Sequence, residues 1–156
     1  MNVYCRSTLH QIEVAVKSII EMVEELKEED LLMRPTPSKH SIGELLSHIS
    51  LICMADDLIA GGASQEEMDS FYYSKSMDTL DEIRKELREN FHYLKERVAA
   101  WTEAMLMEET TSYWGVTYTR FEWLVEIAAH LYHHRGQLHS MLVHCYAKDP
   151  QVPMFE

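Results

Sequence analysis

Residues 126–139, EIAAHLYHHRGQLH, carry four of the nine histidines in this chain. On a helix advancing about 100° per residue, His134 falls about 40° from His130. Both then lie on or beside the apolar stripe of Ile127, Leu131 and Leu138. His133 turns away from that stripe and His139 lies on the far side. Imidazoles four residues apart on one helical face are neighbours, and that spacing can hold a single metal ion. It also suits a pair of hydrogen-bonded core histidines, so the spacing alone leaves both readings open.

A third histidine stands in a comparable place. Phasing residues 42–60 as a helix puts His48 within the stripe formed by Leu45, Ile49, Ile52 and Ile59. An imidazole on a buried face needs a partner, because desolvating it alone costs about 2–7 kcal/mol. The partner is either a core carboxylate or carbonyl, or a metal shared with His130 and His134. Three neutral imidazoles with the remaining positions left to water are the pattern of a catalytic site. Two histidines plus a carboxylate from Glu44, Asp56 or Glu126 form the other donor set. Leu131 follows His130, so the HExxH arrangement of metalloproteases is absent, as are a Gly-rich phosphate loop and a nucleophile elbow.

The elements that would position these residues follow from periodicity. Leu9, Ile12, Val16, Ile19, Val23 and Leu26 predict a first helix over residues 7–29. The prolines at 35 and 37 separate it from the second helix, and Glu28-Glu29-Asp30 reads as a solvated acidic end. Ser41…Glu44 has the form of a capping box opening the second helix, which Gly61-Gly62 stops. Residues 61–75 read as a long polar connection in which Phe71-Tyr72-Tyr73 forms a lid. A third helix is expected from Ser76 or Thr79 to Met107, opened by Thr79…Glu82. Residues 108–118 read as a β-rich loop or short hairpin. Thr119…Glu122 opens a last helix reaching Tyr146, and His92 is expected at a rim. Four long amphipathic segments in one domain, residues 1–156, predict an all-α, up-and-down four-helix bundle with a long connection between helices 2 and 3.

Composition narrows the function. A formal charge of −12 repels phosphate backbones, so nucleic-acid binding is not expected. No apolar run approaches a membrane span and no signal-peptide core is present, so no membrane partner is expected. Cys5, Cys53 and Cys145, three cysteines without a CxxC pair, predict free thiols and a cytoplasmic location. Cys53 is expected to pack in the core, and Cys145 to lie too far along its helix to join His134 on one ion.

Taken together, these motifs resemble the DinB-like superfamily of four-helix metalloproteins, which includes bacterial thiol S-transferases such as bacillithiol transferases. The resemblance rests on Arg34-Pro35-Thr36-Pro37, on Ser41-Ile42-Gly43-Glu44-Leu45-Leu46-Ser47-His48, on the block from His130 through His133-His134 to Gln137, and on Val152-Pro153. It implies a triad of His48, His130 and His134 on one divalent ion, nickel or zinc, and a homodimer. It places transfer of a low-molecular-weight thiol onto an electrophilic small molecule first among activities. Metal-dependent hydrolysis and a non-catalytic metal-binding stress-response module are the alternatives. Glu44, one turn before His48, is the expected general base.

Overall fold

In the computed structural model, which describes residues 1–155, the chain is predominantly helical with one small hairpin. The all-α expectation holds at that level. Helix α1 covers Val3–Glu24, α2 Ile42–Ala60, α3 Gln65–Tyr73, α4 Leu80–Ala99, α5 Glu103–Leu106 and α6 Arg120–Ser140. Helix α2 packs along both α4 and α6, and α1 packs along α6 and α4. Their facing stripes bury Ile12, Ile19, Leu45, Ile49, Leu87 and Leu131 with other apolar side chains in one core. Each of these is excluded from water, the main favourable contribution to such a fold.

Local chemistry fixes the helix starts. Asn2 caps α1 by accepting from the Tyr4 N–H at 2.8 Å. Both halves of the Ser41–Glu44 box form, the Ser41 hydroxyl accepting from the Glu44 N–H at 3.1 Å and the Glu44 carboxylate from the Ser41 N–H at 2.9 Å. The Thr79–Glu82 box also forms. At Thr119 only the hydroxyl half is present, accepting from the Glu122 N–H at 3.2 Å. Gly43 allows the start of α2 to lie against the preceding turn. A Cβ there would stand 2.9 Å from the Leu31 carbonyl oxygen, inside van der Waals contact.

Several boundaries differ from the sequence expectation. Helix α1 begins at Val3 and stops at Glu24, and Glu28–Leu32 forms a separate 3-10 turn. Of the acidic triplet 28–30, Glu29 is exposed as expected but its neighbours are structural: the Glu28 carboxylate accepts from the Leu80 N–H at the start of α4, 3.2 Å away. Asp30 is fully buried, accepting from the Lys27 N–H at 2.9 Å and pairing with Lys148. The connection 61–75 contains α3, opened by a capping box at Ser64 and Glu67 and seated by the buried Met68. The third helix ends at Ala99, because Thr102 caps the short α5. Beyond it, Glu109–Thr111 and Thr117–Thr119 pair antiparallel, Thr110 opposite Tyr118, around a turn where Gly115 takes φ +94°. Helix α6 gives way to a wider π-type turn at Met141–Cys145.

Polar ties lock the helices in register. Asp57 on α2 accepts from the Tyr93 hydroxyl at 3.0 Å and the Arg97 Nε at 3.1 Å on α4. Arg135 on α6 is 2% exposed, donates to the Ser18 hydroxyl on α1 at 3.1 Å, and stacks on Tyr132 and Phe155. Cys5 and Cys53 are buried, Cys145 is exposed, and all three are free. Among the described residues no helix is long and apolar enough to cross a membrane.

Candidate metal centre

Helix α2 contributes His48 and helix α6 contributes His130 and His134, and the packing of α2 on α6 brings the three rings together. The Nε2 of His48 lies 3.2 Å from the Nε2 of His130 and 3.2 Å from that of His134. The centroids of the three rings are 4.7 to 5.1 Å apart. All three rings are half-buried, so the cluster stays open to solvent on one side.

What stands behind two of the rings decides their tautomers. The Nδ1 of His130 is 2.8 Å from the Asp56 carboxylate. A carboxylate only accepts, so that nitrogen carries the proton and the Nε2 of a neutral His130 presents a lone pair. The Nδ1 of His134 faces the Gln137 amide oxygen at 2.8 Å, which fixes it the same way. His48 thus meets two acceptors with one nitrogen and can donate to only one of them. At least one inward lone pair is left without a donor, an arrangement that a shared cation resolves. The spacing fits such an ion. Two nitrogens each about 2.1 Å from one metal lie roughly 3.0 Å apart at a right angle and roughly 3.4 Å apart at a tetrahedral angle.

Electrostatics point the same way. Burial, then the neighbouring His134 and His130, push His48 down to about 4, so it is neutral near pH 7. Burial also lowers His134, partly offset by its bond to Gln137. His130 is raised, chiefly by the hydrogen bond to Asp56. A carboxylate behind a ligating imidazole orients it and increases its basicity.

The sequence-expected residues separate into groups here. His48, His130 and His134 converge, while His133 is exposed, its ring set edge-on to that of His134 at 4.7 Å. Asp56, considered as a ligand, sits behind His130 and not among the Nε2 atoms. Glu126 is half-buried, its carboxylate within 4.8 Å of the Asp56 oxygen and a His130 ring nitrogen, and burial and then Asp56 push it up. Glu44 has other partners: Arg34 holds its two oxygens at 2.7 and 2.9 Å, and the Ser41 N–H takes the second oxygen as well. Those contacts, Arg34 first, hold it at about 2, which makes it a weak base. Gln137 was not foreseen. Its signal was its position three residues after His134, adjacent on the helix. Cys53 packs in the core as expected, where burial pushes its thiol far up.

A family model of the DinB superfamily matches residues 11–138. The chain belongs to the DinB superfamily. It is similar to the crystal structure of a protein assigned to the DinB family from Exiguobacterium sibiricum, with 30% identity, 99% of each chain covered and a TM-score of 0.88. It also shares its fold with a DinB-like protein from Bacillus subtilis, at 17% identity and TM-score 0.70, covering 94% of this chain and 95% of that one. A DinB-like protein from Bacillus cereus gives 18% identity and TM-score 0.69, covering 88% and 89%. No functionally curated protein matches. In this DinB-superfamily chain the paired Nε2 lone pairs, and not the family name, carry the case for a metal.

Proposed function

We propose that His48, His130 and His134 hold one divalent ion, nickel or zinc, and that the protein uses it to transfer a low-molecular-weight thiol onto an electrophilic small molecule. The observation that carries the metal is the convergence of three ring nitrogens, two of them held with lone pairs inward by Asp56 and Gln137. Thiol transfer is favoured over hydrolysis by the likeness to thiol S-transferases of the DinB-like group. The four long helices are read as an up-and-down bundle, and the free thiols Cys5, Cys53 and Cys145 favour the cytoplasm.

Three neutral ligands would leave a bound ion its full charge, which would favour thiolate over thiol near neutral pH. The chain's own residues do the rest. Asp56 and Gln137 hold two imidazoles in one tautomer and orientation, so no reorganisation is needed when a substrate arrives. The half-buried faces of the rings admit small molecules and let the thiol proton leave to solvent. The thiol sulfur then bonds to the electrophilic carbon as the leaving group departs with its electron pair.

The test supplies metal-loaded protein with a chromogenic electrophile and a panel of small thiols, beside the His48→Ala variant. The expected result is conjugation faster than the uncatalysed reaction and abolished in the variant. Equal rates in the two proteins would sink the transferase reading, whereas metal-dependent hydrolysis of the electrophile without thiol would favour the hydrolase.

We also propose a homodimer through the outer face of α6. Val125 is 44% exposed, Ala129 is exposed, and a Cβ built on Gly136 meets nothing within 4 Å. That face is small and apolar enough for a second helix to approach closely.

A further inference from the structure

A cavity of about 790 Å³ opens at the N-terminal end of α2, the helix that carries His48, lined by Arg34, Ser38, Lys39, His40, Ser47 and Lys75 among others. Its relation to the centre follows from the chain. Ser47 immediately precedes His48, and Glu44 on the wall lies one turn before it on the same helix. In a chain with 14 basic and 26 acidic residues, Arg34, Lys39 and Lys75 at one cavity, against Glu44 on its wall and Glu86 paired with Lys75, leave a locally positive balance.

The cations keep unused donors. Arg34 directs both Nη1 hydrogens, to the Lys39 carbonyl oxygen and Glu44, and one Nη2 hydrogen to Glu44, which leaves its Nε–H and one Nη2–H. Lys75 contacts both oxygens of Glu86 at 3.0 and 3.2 Å, leaving a third N–H. The Lys39 side chain is exposed, and its ammonium has no partner among the described residues. Ser38 and Ser47 also line the cavity, and their hydroxyls can donate to an oxyanion. We propose that this cavity binds an oxyanion group, carboxylate or phosphate, of the small molecule whose reactive end lies at the histidine cluster. The substrate class is thus narrowed from any small thiol or electrophile to one carrying negative charge. This rests on the metal-centre reading for its purpose but not for its binding chemistry.

The test is therefore a binding measurement with probes that do not react. Titration calorimetry is run with succinate and with inorganic phosphate, on the wild-type protein, Lys39→Glu and His48→Ala. Lys39 is an exposed loop residue that enters no side-chain contact, so its reversal leaves the fold intact. The expected result is saturable binding of one or both anions, weakened about tenfold or more by Lys39→Glu and by raised salt, and retained in His48→Ala. Which probe binds tells carboxylate from phosphate. Mercaptosuccinate and the neutral 2-mercaptoethanol extend the test: the anionic thiol should bind the wild-type protein more tightly and lose that advantage in Lys39→Glu. Absence of binding by both anions, or binding unchanged by the charge reversal, would overturn the proposal. Because succinate carries no thiol, its binding stands or falls separately from metal loading and turnover.

Discussion

Glu44 shows how much a single carboxylate's surroundings matter. Its place one turn before His48 suggests a base, yet the guanidinium of Arg34 and the Ser41 N–H claim its oxygens. A carboxyl that ordinarily titrates near 4.5 is held at about 2. The folded value lies below the unfolded one, so the stabilisation is complete above the unfolded value and is lost as pH falls through about 2. An NMR titration should place Glu44 near that lower value, and Arg34→Ala should move it up toward the ordinary range. A midpoint unmoved by Arg34→Ala would mean that the Ser41 cap alone holds the carboxylate. The three histidines were legible in the sequence because helical phase puts them on core-facing stripes. The roles of Asp56 and Gln137 were not, because a helical wheel gives direction without saying which ring nitrogen faces which neighbour. Asp56 does lie on the buried side of α2, where an acid needs a partner, and that partner is His130 Nδ1.

At the scale of elements, apolar periodicity located the four long helices but placed their ends poorly. Periodic Leu26 invited an extension of α1 through residue 29, whereas the chain turns at Lys27 to bury Asp30. Nothing local in the sequence signals that burial, since the countercharge comes from Lys148 at the other end of the chain. Helix α3 has a local signal in the sequence: Ser64-Gln65-Glu66-Glu67 has the same capping form as Ser41…Glu44. The Asp30–Lys148 pair gives a prediction. Burial raises the Asp30 carboxyl, and the Lys148 ammonium and Lys27 N–H outweigh that effect and hold it low. Lys148→Met removes the countercharge and leaves a buried carboxylate with only its backbone bond. It should destabilise the fold by about 1–3 kcal/mol, read as a lower urea midpoint with little change in slope. An unchanged midpoint would show that the pair contributes nothing and that the turn at 28–32 is held by packing alone.

For the molecule as a whole, assembly and metal content are the properties that the proposed function fixes. Sedimentation at micromolar protein should give a species of twice the 18.3 kDa chain mass, and a monomer alone would contradict the dimer through α6. Tyr132, also on α6, donates its hydroxyl to Gln11 on α1. The exposed face of α6 therefore centres on Val125, Ala129 and Gly136. The central claim is that one ion is shared by histidines of α2 and α6, and elemental analysis of purified protein tests it most directly. The wild-type chain should carry about one divalent ion, His134→Ala should lose most of it, and His133→Ala, whose ring is exposed beside the cluster, should keep it. Full occupancy in His134→Ala, or equal loss in both variants, would contradict the account.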